Sequence, residues 1–293
     1  MEPIRVLRED LVLVDWGPMT LSISAWEGGV PRPVIAARSA RTALGCLSTL
    51  ADFQEYLKKP VVELPRDRPL PRVVARARDA AAVVGRELTP LASVAGAVAD
   101  EVADRAWELG ADRVIVNNGG DIALRLKAGE QARVGIKQIR RFGSLADEPI
   151  LGRLRVPSGD GVGGVASSGW QGRSHSLGLA DLVTVWTVTA GLADAAATAL
   201  ANAVYAESSE VVRHPACELD PRSDLKDKPV VSYVGNLSPT ARRVALQAGM
   251  DAAAELFQAG LIRGCLIAVQ SDRAVFDPQR LFTPSRPRES VRL

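Results

Sequence analysis

The chain is poor in the residues that build common metal and redox centres. Its 293 residues hold three cysteines, Cys46, Cys217 and Cys265, and two histidines, His175 and His214. No two of the cysteines stand at the short spacing of a zinc-finger ligand set, which argues against that class of site. The odd number of thiols fits the reducing cytoplasm. So does the opening "MEPIRVLREDLVLVDWG", which carries charges where an export signal needs an apolar core. No uninterrupted apolar run reaches membrane-spanning length, because the best stretch, Leu177 to Ala201, is broken by Asp181 and Asp194. An excess of charge of one sign is also missing. The formal charge is +2 and the 36 Lys and Arg are spread along the chain, unlike the basic stripe of a nucleic-acid binder. No Walker sequence, no "GxSxG" nucleophile elbow and no dinucleotide fingerprint is present. "SGDGVGG" has the wrong spacing for the last and lacks the surrounding strand-turn-helix unit. Neither a nucleic-acid nor a membrane partner is therefore expected.

Core-forming residues are plentiful. Hydrophobic residues make up 47% of the chain and charged residues 24%, enough for a substantial core under an ordinary surface. The length fits one large domain or two intimately packed lobes, assigned to residues 1–277, with a loose tail over 278–293. Residues 4–25 alternate as strands split by "DWGP". Residues 33–57 carry apolar groups three and four apart and read as a helix, and a short helix is expected over about 72–85. Thr89-Pro90 can open a helix that closes on Gly110. "RVIVN" and "DIALRL" read as strands, followed by two more and a surface loop near 142–149. "LVTVWTVTA" reads as a strand and "GLADAAATALANAVY" as a helix. "RHPACELDPRSDLKDKP" is a polar excursion, and "SPTARRVALQAGMDAAAELFQAG" starts a helix on Ser-Pro and ends it on glycine. Strands and helices mix without a strict βαβ repeat. The expectation is an α+β fold with helices packed on a mainly antiparallel sheet.

Three segments could carry chemistry. The first is the knot Asn117, Asn118, Gly119, Gly120 and Asp121 between two strands. Asn-Gly is a strong hairpin signal, so a plain turn accounts for it. Exposed turn amides could also meet an anion or a ring carbonyl. The second is "ASSGWQGRSHS". Ser168, Arg173 and His175 could grip a phosphate, and Trp170 could stack on a flat ring. A mobile Ser/Gly loop is the bland alternative. The third is Asp194 with Thr198, four apart on one helix face near its start. A carboxylate plus a hydroxyl is hard-oxygen chemistry suited to Mg2+, but Asp194 could equally offset the helix dipole. Asp100 and Asp104 share a face of the earlier helix, for which solvent exposure is the simplest account. His214, in the polar excursion, reads as exposed.

Together these segments resemble a known family. "ASVAGAVADEVADRAWELGADRVIVNNGGDIAL", "GVASSGW…GRSHS" and "VTVWTVTAGLADAAATAL" are similar, in order and approximate spacing, to the motif regions of ApbE-type flavin-transferring proteins. The match covers about residues 88–205, and the chain is identified as a member of the UPF0280 group within that ApbE-like superfamily. The superfamily includes Mg2+-dependent FAD:protein FMN transferases, which attach FMN to a threonine of a target protein.

The resemblance implies an ApbE-like fold and a metal held by Asp194, Thr198 and the backbone of Val94. It also implies a flavin-nucleotide wall from Asn118 to Asp121, including Gly119 and Gly120. His175 follows the "GVASS" strand as a histidine does in the family, and Asp121 and His175 become the candidates for a general base. The chain departs from the family at Ala95, where the transferases carry a lysine, and at Leu91 and Ala92, where they carry glycines. It reads "SLGLADL" where they read an Asp-Pro-x-Thr-Gly segment. Two functions follow as expectations. One is a Mg2+-dependent transferase acting on FAD or another nucleotide, with a protein acceptor. The other is a non-catalytic flavin or small-molecule binder, or an accessory to an oxidoreductase. Small-residue helices allow a homodimer.

Overall fold

The computed structural model describes residues 2–65, 67–138, 150–172 and 174–285. The N-terminal third forms strands β1 (Ile4–Arg8), β2 (Leu11–Trp16), β3 (Met19–Glu27) and the two-residue β4 (Val30–Pro31). Along β3 the residues Met19, Leu21, Ile23 and Ala25 are buried in strict alternation, the period-2 signature of a strand. Helix α1 (Pro33–Asp52) has proline in its first turn and buries Ala36, Ala40 and Ala43. It ends at Phe53, earlier than the apolar spacing alone suggests, and α2 (Gln54–Leu57) and α3 (Arg72–Val84) follow. A 3-10 turn at Pro90–Ser93 leads into α4 (Val94–Glu108).

After α4 come β5 (Arg113–Asn118), β6 (Asp121–Leu126), β7 (Gln131–Lys137), β8 (Ile150–Pro157), β9 (Gly164–Ser168) and β10 (Leu182–Thr187). Helix α5 (Ala190–Ala203) precedes a ribbon of β11 (Val211–Pro215) and β12 (Pro229–Val234), which carries α6 (Ala216–Leu219) in its connection. Helix α7 (Pro239–Gln258), β13 (Gly264–Val269), β14 (Asp272–Phe276) and β15 (Phe282–Pro284) complete the described chain. The loop expected near 142–149 lies outside the described residues.

One sheet runs β1-β2-β3-β5-β6-β9-β10-β13-β14, with β4 flanking β3. Each described ladder in it is antiparallel, as expected from the absence of a βαβ repeat. Helices cover one face. Val12, Leu21, Ile23, Val114 and Val116 pack with Ala36, Ala40, Ala99 and Ala103, while Val183, Val185 and Ile267 pack with Ala193, Ala197 and Ala245. The opposite face is closed by a second sheet, β15-β8-β7. There Leu182, Trp186 and Leu266 meet Val134, Leu151 and Leu154. With a layer on each side, β10 and β13 are buried at every position, which explains their largely apolar sequences LVTVWT and GCLIAV; the buried Thr184 and Thr187 hydroxyls are hydrogen-bonded to Ser167 and to Leu261 O.

The segment after 277 is not wholly loose. Phe282 stacks on the fully buried Trp186, with ring centroids 6.4 Å apart, and β15 pairs with β8 from Phe282 to Pro284. The aromatic contact supplies an anchor that a Pro- and Arg-containing tail does not advertise, on the order of 0.5–1.5 kcal/mol beyond burial.

Candidate active site

The polar knot folds as a two-residue hairpin. Asn118 pairs with Asp121 across the turn, and Gly119 and Gly120 take φ of +67° and +118°. A type I′ turn needs positive φ at both central positions, which is why two glycines stand there. The Gly120 amide donates to Asn117 Oδ1 at 2.8 Å and closes the loop. Cross-strand partners share a face. Asn118 and Asp121 therefore project together, in line with Val116 and Ala123 beneath α4. Asn118 Nδ2 then donates to Ala95 O in the first turn of α4, at 3.0 Å. The turn reading is thus correct, and the turn also presents two polar side chains to a helix N-terminus.

The start of α4 is capped from another helix. Ser93, in the N-cap position, makes no capping bond, because its hydroxyl donates to Gly191 O at 2.8 Å. Asp194 of α5 takes over, and its Oδ2 accepts the Gly96 amide at 3.0 Å. An acidic cap at that place stabilises a helix by about 0.5–2 kcal/mol. The converse cap comes from α4. Asp100 is 2% exposed and accepts the Ala190 and Gly191 amides at 3.2 and 2.9 Å, at the start of α5. The two helices touch closely enough for this because a Cβ on Gly96 would lie 2.2 Å from Ala190 O.

Asp100 and Asp104 are consequently not a solvated pair. Arg125 of β6 reaches both, at 3.0 Å to Asp100 and 2.7 Å to Asp104. Asp104 also holds Arg72 at 2.8 Å and Arg76, both from α3. Burial pushes the Asp104 carboxyl up, but Arg125 and Arg76 outweigh it and hold it below the usual carboxylate range. The spacing of these acids along α4 is visible in sequence. Their cationic partners are remote in sequence, so the solvent-exposed account fails.

Asp194 behaves in the opposite way. Burial pushes its carboxyl well above the ordinary value, the nearby Asp121 charge pushes it further, and the Gly96 and Ala95 amides only partly offset this. Its residue surface is partly open to solvent, although its carboxyl is closely surrounded by protein. Two acids from separate segments thus converge at the N-terminus of α4.

The other sequence candidates line α5 farther along. Thr198 is half-buried one turn beyond Asp194. Asn202, one turn further on the same face, was not anticipated, although it continues the four-residue spacing. Its Oδ1 accepts the Leu177 amide at 2.9 Å and the Ser176 hydroxyl at 3.4 Å, docking the Ser-His segment. His175 is half-buried there and bonds to no other described residue, so the fold does not join it to Asp121 or Asp194 by a hydrogen bond. Ser168 ends β9, and its neighbour Ser167 shares a 2.8 Å bond with Thr184. The Trp170 indole N–H donates to the buried Asp181 at 2.9 Å, with Gln171 donating to the same oxygen at 3.0 Å. The indole is pinned by its edge. Val94 is the first residue of α4. Arg173 lies outside the described residues. His214 is exposed, 3.7 Å from Glu218.

Two surface grooves lie elsewhere. One of about 440 Å3 lies between α7 and β14, and one of about 380 Å3 lies beside β1 and α1; none of the residues discussed above as site candidates lines either.

The family model described as AbpE bacteria matches residues 5–276. Among individual relatives, a UPF0280 protein of Methanopyrus kandleri is 36% identical over 165 residues, which is 55% of this chain and 64% of that protein. A UPF0280 protein of Methanothrix thermoacetophila is 35% identical over 186 residues, which is 60% of this chain and 75% of that one. In structure, the apo form of the Pseudomonas stutzeri flavinyl transferase ApbE is similar at 14% identity. That likeness covers 93% of this chain and 94% of that chain, with a TM-score of 0.47.

Proposed function

Since the chain belongs to the AbpE bacteria family and to the UPF0280 group of ApbE-like proteins, we propose that it is a Mg2+-dependent transferase acting on a phosphate-bearing nucleotide, with FAD the favoured substrate. One observation carries this reading. Asp194 accepts the Gly96 amide in the first turn of α4 at 3.0 Å, and Asp121 projects toward the same turn beside its strand partner Asn118, which donates to Ala95 O at 3.0 Å. A divalent cation relieves the repulsion between two such carboxylates, and a helix N-terminus favours phosphate.

The donor set fits magnesium. No group of three or more His, Cys, Asp or Glu placed to hold a metal ion occurs among the described residues, but Mg2+ commonly takes one or two carboxylates and completes its shell with water and substrate phosphates. In this reading Asp194, Thr198 and the Val94 carbonyl hold the ion, which when bound supplies charge neutralisation to the diphosphate. Asn118, Gly119, Gly120, Ser168, Trp170, Arg173 and His175 form the nucleotide wall. The hydroxyl of an acceptor attacks the FMN phosphorus, the phosphoanhydride bond breaks and AMP leaves. The hydroxyl proton goes to Asp121 or His175. No helix among the described residues is long and apolar enough to cross a membrane, and all three cysteines are free thiols. We place the protein in the cytoplasm.

A second reading, flavin or nucleotide binding without transfer, draws support from Ala95. Where the transferases carry a lysine, this chain offers only a backbone carbonyl, and Asn118 already occupies it. The test is direct. Purified protein is incubated with FAD and Mg2+, with AMP release followed by chromatography and binding by calorimetry. Release that Asp194→Asn abolishes supports transfer, and binding without release supports the second reading. Absence of binding by flavin in either redox state rules out both.

A further inference from the structure

We propose that Asp100 is the positioning residue for Asp194. By tying the start of α5 to α4, it fixes where the Asp194 carboxylate lies over the first turn of α4. Asp100 touches neither a metal nor a substrate in this role, so its effect passes through Asp194.

The argument rests on a closed ring of contacts. Asp100 accepts the first two amides of α5, Ala190 at 3.2 Å and Gly191 at 2.9 Å. One turn later on α5, Asp194 accepts the Gly96 amide of α4 at 3.0 Å. The Ser93 hydroxyl on Gly191 O, at 2.8 Å, locks the same crossing. Arg125 donates to Asp100 at 3.0 Å and anchors the ring to β6, the strand that begins with Asp121. Asn118 closes the ring through Ala95 O at 3.0 Å. Each helix start is thus capped by a carboxylate of the other helix, and moving one displaces the other. A helix start leaves four amides without an intrahelical partner, and Thr189, the N-cap of α5, takes only that of Leu192 at 3.3 Å. Asp100 takes the two before it, and because this cap comes from another helix it also sets the register of α4 against α5.

The inference deepens the proposed metal site and depends on that reading only in its metal arm. The test compares Asp100→Asn and Asp100→Glu with Asp104→Asn, which loosens the same arginine network without touching α5. In metal-free protein, hydrogen exchange at the Gly96 amide is expected to quicken in both Asp100 variants. It should stay near the parent rate in the Asp104 variant. With Mn2+ as the probe, followed by spin resonance, affinity is expected to fall by about tenfold or more in the Asp100 variants, as for other groups that orient metal ligands. It should not change in the Asp104 variant. Asp100→Glu keeps the charge, so the same loss there separates position from electrostatics. Unchanged Gly96 exchange in the Asp100 variants overturns the inference, as does a loss that simply follows melting temperature across all three. If the parent shows no Asp194-dependent Mn2+ binding, the metal reading fails and the exchange arm alone decides the role of Asp100.

Discussion

Ionising Asp194 costs the folded chain free energy. Burial and the Asp121 charge raise its carboxyl above the ordinary range. The folded chain therefore keeps this proton at pH values where the unfolded chain has released it. The sign follows from proton linkage. Stability falls as pH rises from about 4, the ordinary aspartate value, through the raised folded value, and it is recovered below that range. Asp194→Asn is therefore expected to melt higher than the parent at pH 7. The advantage should shrink as pH falls toward about 4. Thermal melts across that range check it, and a gap that does not vary with pH contradicts it. Magnesium adds a second readout. It should raise the melting temperature of the parent at pH 7 but not that of the variant, because only a folded state with the carboxylate gains binding energy.

At the scale of elements, the crossing of α4 and α5 is one of the tightest contacts near the site. A methyl on Gly96 would lie 2.2 Å from Ala190 O, and backbone cannot yield as a side-chain tip can. Gly96→Ala is expected to cost about 1–3 kcal/mol by overpacking, read as a lower urea midpoint, and to weaken nucleotide binding by parting Asp194 from Gly96. An unchanged midpoint would mean that the helices have room to separate.

Much of this architecture was legible in the sequence. The strict alternation of β3, the Asn-Gly turn and the Ala-rich α5 are local signals, and the four-residue step from Asp194 to Thr198 put both on one face. The reciprocal caps were not legible. Asp100 and the α5 amides it serves are 90 and 91 positions apart, and a carboxylate on a helix face gives no local sign of which distant amides it will meet. The same limit hid the pairing of Thr89 with Asp224, and the separate layer of β7, β8 and β15, whose strands alternate like any others.

For the molecule as a whole, the polar excursion is an ordered strap. Its strands β11 and β12 pair with each other. The Val231 amide donates to Ser176 O at 2.8 Å, beside the segment that Asn202 holds. At the tip, Asp224 accepts the hydroxyl of Thr89, the residue that introduces the 3-10 turn before α4. The ribbon is therefore fastened to the segments flanking both ends of the α5 face that carries Asp194, Thr198 and Asn202. Of the two anchors, the base adds strand pairing and an Arg213 guanidinium 4.7 Å above the Tyr205 ring, whereas at the tip the Thr89 hydroxyl supplies the hydrogen bond to Asp224.

Thr89→Val keeps the side-chain shape and removes that hydroxyl. The strap should then open locally, at a free energy below that of global unfolding. Trypsin is expected to cut faster at the exposed Arg222 and Lys226 while the melting temperature stays within a degree or two of the parent. Nucleotide bound at the proposed site should slow that cleavage if the strap closes over it. Equal cleavage in parent and variant would place the holding force in the ribbon base instead. Faster cleavage with a collapsed melting temperature would make Thr89 part of the core rather than a latch.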